Sequence, residues 1–300
     1  MIEAKEISKS FGGIRAVDCL SATIQEGSVF GLIGTNGAGK STFLRMACGI
    51  LKPDKGEILV DEEPVYEKPE RKSRIFYISD EQYFFANANP LDMKHYYETI
   101  YPDFDGMRFL DLLKKFELSG SRKINTFSKG MKKQLSVILG VCANTKYLFC
   151  DETFDGLDPV MRQAVKSIFI REIEERGMTP VIASHNLREL EDICDHVGLL
   201  HKGGILLSRD LEDMKLNIHK LQCVFQQLED LEYVKKLLEI MQIEQRGSLV
   251  TITVRGSREH IERTIADRQP LFYELLPLSL EEIFISETEV AGYDFKNLIF

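Results

Sequence analysis

The stretch Gly34-Thr35-Asn36-Gly37-Ala38-Gly39-Lys40-Ser41 limits what this chain can fold into more than any other. It fits G-x-x-x-x-G-K-[ST] at every defined position, and Thr42 follows it. Glycines at these places let consecutive backbone N–H groups wrap a phosphate without Cβ clashes. The flanks supply the context such a loop needs. Val29 to Ile33 is a brief apolar run that reads as a buried strand, and FLRMACGIL after the loop has helical spacing. A helix starting near Lys40 points its positive end at the bound phosphate. Lys40 can reach the β- and γ-phosphates of a nucleotide, and the Ser41 hydroxyl can bind Mg²⁺.

A second segment completes this chemistry. Tyr147-Leu148-Phe149-Cys150 is an apolar strand that ends in two carboxylates, Asp151 and Glu152. Asp151 can complete the Mg²⁺ shell begun by Ser41. Glu152 then stands as general base or water-positioning group for attack on a γ-phosphate. Phosphate loop and acidic strand end together imply a nucleoside triphosphatase, without saying what the hydrolysis drives.

The rest of the chain alternates strand and helix. Residues 1–30 read as short strands, with turns at Gly12-Gly13 and Glu26-Gly27. ILVDEEPV and SRIFYIS are further strands. From about Pro90 to Gly140 the pattern turns helical, with LDMKHYYETIY, MRFLDLLKKFEL and KGMKKQLSVILGVCA as its helices. Pro159 opens VMRQAVKSIFIREIEERG, which runs to a glycine stop. Pro180 to Ser184 is another strand, followed by the helix LRELEDICD. This order implies an α/β fold with a largely parallel sheet and ligand loops at the strand C-termini. Beyond about Leu216 the spacing shortens. LQCVFQQ, LEDLEYVKKLLEIM, LVTITV, SREHIERTIADR and LFYELLPL read as a separate small α/β domain at about 220–286, with a capping box at Ser279 and Glu282. Residues 287–300 read as a tail.

Composition disfavours several classes. The 300 residues carry a formal net charge of −9, poorly suited to non-specific nucleic-acid binding. No stretch approaches the roughly 18 apolar residues a membrane span needs. MIEAKEISKSF lacks the apolar run of a secretory signal, so a cytoplasmic location is expected. The six cysteines are scattered without a C-x-x-C pair, and they read as small buried hydrophobes in a reducing compartment.

Further segments, in order, resemble the ATP-binding subunits of ABC transporters over about residues 1–215. The resemblance implies a P-loop NTPase with a RecA-like core, a helical subdomain at about 90–140, and ATP with Mg²⁺ as ligands. Phe11, in KSFGG, stands where the family places an aromatic that stacks on adenine. Phe127-Ser128-Lys129-Gly130-Met131 stands at the signature motif, where Ser128 and Gly130 would contact a γ-phosphate bound by a second ATPase subunit. Asp155-Gly156-Leu157-Asp158 resembles the loop that crosses the dimer interface. His185, in Ser184-His185-Asn186, resembles the switch histidine that reaches the γ-phosphate. The chain also departs from the pattern. Lys129 and Met131 replace a glycine and a glutamine, and Thr153 replaces a proline. In IFYISDEQYFF, Asp80 occupies the place of the metal-sensing glutamine, with Gln82 two residues later; the resemblance implies that one of the two, Asp80 or Gln82, meets the metal.

The resemblance implies ATP hydrolysis powering transport through a separate integral membrane subunit. Two cassettes, identical or not, would sandwich ATP head to tail on the inner face of the cell membrane. Tyr83, Phe84 and Phe85 lie at the junction that, in the family, receives a short helix from that subunit. The alternative is a soluble ATPase of the same class acting on ribosomes or DNA. Such relatives carry two cores or a long coiled coil, and this chain has one core and no sustained heptads. The segment bearing Ser128 disfavours a small-molecule kinase.

Overall fold

A computed structural model describes residues 1–290. The chain divides into two compact units, Met1–Ser208 and the residues from Arg209 onward.

In the first unit, β1 (Ile2–Phe11) and β2 (Ile14–Ile24) form a long hairpin, not the short strands the sequence implied. Register shifts between Ala4 and Ser10 bend β1, which hides the strict alternation a long strand would show. After β3 (Phe30–Ile33) comes α1 (Lys40–Ala47). Next are β4 (Lys55–Val60), β5 (Glu63–Pro64), α2 (Pro69–Lys72) and β6 (Ile75–Ile78). The helical insertion follows as α3 (Pro90–Ile100), α4 (Gly106–Lys115) and α5 (Lys129–Cys142). Then come β7 (Tyr147–Asp151), α6 (Pro159–Arg176), β8 (Thr179–Ser184), α7 (Leu187–Glu191), β9 (His196–His201) and β10 (Gly204–Asp210).

Two sheets result, ordered β2-β1-β4-β5 and β10-β9-β3-β8-β7-β6. The pairs β3–β8, β3–β9, β7–β8 and β6–β7 are all parallel. Strands β3, β7 and β8 are buried at every residue, as expected when both faces of a parallel sheet are covered, and this explains their unbroken apolar runs. The register decides where the chemistry lies. Ile33 pairs with Ser184, and Asp151 pairs with Ala183. The phosphate loop, Glu152 and His185 therefore leave three adjacent strands at one sheet edge.

Caps fix the helix starts. Asn89 and Asp92 form a reciprocal capping box on α3, and Asp105, Ser128 and Asp158 cap α4, α5 and α6. Gly177, left-handed at φ 65°, ends α6. Glu172 of α6 is fully buried; Arg176 bonds it at 2.6 Å and Arg108 of α4 also pairs with it. After β4, Asp61 gathers Arg74, Lys146, the Tyr147 hydroxyl and the Met1 amine, tying the starts of β6 and β7 to the end of β4.

The second unit contains α8 (Leu211–Asn217), β11 (Ile218–Val224), α9 (Leu228–Leu237), β12 (Glu239–Arg246), β13 (Leu249–Arg255), α10 (Arg258–Ala266), β14 (Phe272–Pro277) and α11 (Leu280–Val290). Its antiparallel sheet is ordered β12-β13-β11-β14. Leu221, Cys223, Ile252 and Val254 of the sheet bury Val234, Ile261 and Ile265 of α9 and α10. The Ser279–Glu282 capping box is present at the start of α11.

Three boundaries differ from the sequence reading. The unit break after Ser208 places α8 with the second unit, not before a boundary at 215. The helix read through Met241 stops at Leu237, because Ile240 and Ile243 enter the ladder opposite Val254 and Ile252. Of the expected tail 287–300, residues up to Val290 belong to α11, and 291–300 lie outside the described residues. Five of the six cysteines are buried and Cys19 is exposed. No described helix is long and apolar enough to cross a membrane.

Candidate functional site

The phosphate loop closes around its own lysine. Lys40 is almost fully buried, and its Nζ donates to Gly34 O at 2.8 Å and Thr35 O at 3.4 Å. Gly39 precedes α1 with φ 105°, and a Cβ there would lie 2.3 Å from Ala16 O. Only glycine fits both constraints. Helix α1 starts at Lys40 without a side-chain cap or an acid in its first turn, so the positive end of its dipole is uncompensated.

The acidic strand end meets this loop. The Ser41 hydroxyl donates to Asp151 Oδ1 at 3.0 Å, and the Tyr77 hydroxyl donates to Oδ2 at 3.0 Å. Burial raises the Asp151 carboxyl above its ordinary value, against those two hydrogen bonds. Glu152 bridges the loop and the next strand end. Its Oε1 lies 3.4 Å from Lys40 Nζ, and its Oε2 lies 2.8 Å from His185 Nδ1. Glu152 itself sits at φ 48°, in the left-handed region that L side chains adopt uncommonly.

Ser128 is exposed at the head of α5, its Oγ accepting from Met131 N at 3.2 Å. A Cβ on Gly130 would lie 3.2 Å from Gly156 O, and Lys129 bonds Asp155 at 2.9 Å. The 127–131 segment and the 155–158 loop therefore form one continuous surface. Phe11 ends β1 and is 47% exposed, with Lys9 Nζ 5.8 Å from its ring centroid. Gln82 is turned back on its own loop, its amide donating to Ser79 O at 3.1 Å and Asp80 O at 2.8 Å. The geometry thus brings Ser41 and Asp151 together and leaves Gln82 bonded elsewhere. Thr35, Asn36, Gly37 and Ala38 lie in the loop, and Thr42 lies in the first turn of α1.

Comparison with known proteins decides the family. The sequence model of the ABC transporter family matches residues 17–155. The ABC transporter ATP-binding protein YtrB of Bacillus subtilis (strain 168) is 31% identical over 287 residues, covering 96% of this chain and 98% of its own. The chain belongs to the ATP-binding subunits of ABC transporters. The bacitracin transport ATP-binding protein BcrA of Bacillus licheniformis is 30% identical over 218 residues, covering 72% of this chain and 71% of its own. A solved ATP-binding subunit of an ABC transporter superposes with TM-score 0.67 at 24% identity over 72% of this chain and 92% of that one. A dimeric cassette in a post-hydrolysis state with ADP and Pi superposes with TM-score 0.64 at 21% identity, over 70% of this chain and 99% of that one. Those two likenesses show the cassette fold.

As an ABC subunit the chain is an ATPase, and two residues in its site escaped the sequence reading. Tyr77, which holds Asp151, is the one hydroxyl in the apolar strand IFYI. Lys133 is 0% exposed, donates to the Glu152 carbonyl, and lies 3.4 Å from Asp80 and 3.9 Å from Asp155. Lys133 stands in the polar first turns of α5, next to Lys132 and Gln134, so the sequence offered no signal that it is buried.

Proposed function

We propose that ATP binds at the Gly34–Thr42 loop and is hydrolysed with Glu152 as general base, driving a membrane transporter subunit. The observation that carries this reading is the Glu152 carboxylate held between Lys40 at 3.4 Å and His185 at 2.8 Å. A γ-phosphate arriving at the loop competes with Glu152 for the Lys40 ammonium. The freed carboxylate, still oriented by His185, then takes a proton from the attacking water. Phe11 offers an exposed ring for adenine. Ser41 and Asp151 would hold Mg²⁺. A buried carboxylate beside a hydroxyl fits such an ion, because the cation offsets the cost of burying the charge. When bound, Mg²⁺ neutralises phosphate charge.

Exposed Ser128 and half-buried Gly130 suit a γ-phosphate held by a second cassette, so the working unit is a head-to-tail dimer. The partner in transport is an integral membrane subunit, with the cassette peripheral on the cytoplasmic face. An aromatic groove supports this. Tyr83 is 78% exposed; Phe85 packs edge-on against Tyr83 and Tyr96, and Met93 and Leu139 line the same groove. Large rigid apolar surfaces of this kind anchor protein partners. Co-purification with an integral membrane protein is the test that separates the transport reading from a ribosome- or DNA-directed ATPase.

The direct test of the site is Glu152→Gln, which keeps shape and removes the base. ATP binding should persist while turnover falls by about 10²-fold or more. Near-normal turnover removes Glu152 from this role.

A further inference from the structure

We infer that Lys133 is a positioning residue that fixes the backbone of Glu152, and with it the direction of the catalytic carboxylate. The inference rests on the assignment of Glu152 as base. Lys133 extends from α5 and is completely buried, and apart from Ser136 the other buried side chains of that helix are apolar. A buried ammonium is costly unless it is paired, and an apolar side chain of similar length would pack there at lower cost. Packing therefore does not explain a lysine at this place.

The partners of Lys133 do. Its Nζ donates to the carbonyl oxygen of Glu152, the residue at φ 48°. The Glu152 N–H bonds on the other side to Ala183 O at 2.9 Å. The strained residue is thus clamped by a strand on one side and an ammonium on the other. Releasing the carbonyl frees the peptide plane, and the carboxylate loses its aim at Lys40 and His185. Asp80, 3.4 Å from Nζ, and Asp155, 3.9 Å away, supply the counter-charge that keeps the ammonium in place. Asp80 precedes the Tyr83–Phe85 groove segment, and Ser136 and Leu139 of α5 line that groove. The clamp on Glu152 is therefore built from the same segments that form the docking groove.

The test is Lys133→Met alone and in the Glu152→Gln background, reading kcat, KM and equilibrium ATP affinity. In the parent background kcat should fall about 10- to 100-fold, the scale for a misplaced catalytic group, with ATP affinity within about threefold. In the Glu152→Gln background the same substitution should add nothing, because the residue acts through Glu152. Lys133→Arg keeps a donor and a charge and should recover part of the loss. An unchanged kcat in Lys133→Met, or an equal fall in both backgrounds, overturns the inference. If Lys133→Met does not fold, Asp80→Asn carries the same comparison. A fall in kcat confined to the parent supports the clamp, and an unchanged kcat or equal falls overturn it. If Glu152→Gln itself retains turnover, the site assignment fails instead.

Discussion

Asp61 accepts from Arg74 at 2.6 Å, Tyr147 at 2.6 Å, Lys146 at 2.8 Å and the Met1 amine at 3.1 Å. Burial alone would raise its carboxyl, but the hydrogen bonds from Lys146, Tyr147, Arg74 and the amine hold it well below the ordinary carboxylate range. A carboxyl depressed in the folded state contributes stability above its unfolded value of about 4, and that contribution is lost as pH falls through the depressed value. Asp61→Asn should therefore cost roughly 1–3 kcal/mol near neutrality. Paired thermal melts should show the gap between variant and parent narrowing as pH drops below about 4. A gap unchanged by acid contradicts this. At this scale the sequence was legible wherever chemistry is local. Lys40, Ser41, Asp151 and Glu152 lie in short motifs whose spacing states their job. Asp61, Tyr77 and Lys133 matter through partners far along the chain, and no local pattern announces such pairs.

Among elements, the phosphate loop is the most constrained. Gly39→Ala must move either the loop or the Ala16 carbonyl, since the new Cβ would stand 2.3 Å from that oxygen at φ 105°. Strain of this kind is worth about 1–3 kcal/mol, so ATP affinity should fall about 10-fold or more by equilibrium titration. Gly13→Ala, where nothing lies within 4 Å of the added methyl, is the control and should bind normally. Equal affinities would show that the loop tolerates a side chain. Elements with strong local signals were readable. The cap at Ser279, the start of α6 at Pro159 and the glycine stop at Gly177 stand where the sequence set them. Elements decided by tertiary pairing were not. Strand β12 was absorbed into a helix because LLEIM favours helix locally, and Ile240 and Ile243 were won by their ladder partners in β13. The helix read as LRELEDICD ends at Glu191; Cys194 then turns inward, its Sγ 2.7 Å from where a Cβ on Gly31 of β3 would stand.

On the scale of the whole molecule, the reading is of half a machine, with one face for a membrane subunit and another for a second cassette. Replacing Tyr83 by Glu should leave folding and basal ATPase of the isolated chain intact. It should abolish co-purification with the membrane subunit, because an anchor at the centre of an interface carries much of its binding energy. Retained co-purification would exclude Tyr83 as that anchor. The boundary between the two units was less legible, since α8 has no motif and its composition blends into both neighbours. The central claim is that one copy cannot complete the site. Lys40→Ala disables a chain's own loop, and Ser128→Asp keeps the α5 cap while placing a negative charge against the partner's phosphate. Each variant alone should be nearly inactive. A mixed dimer retains one intact composite site, so an equimolar mixture with random exchange should recover about a quarter of parent ATPase. No recovery in verified mixed dimers, or full activity of Ser128→Asp alone, contradicts the account.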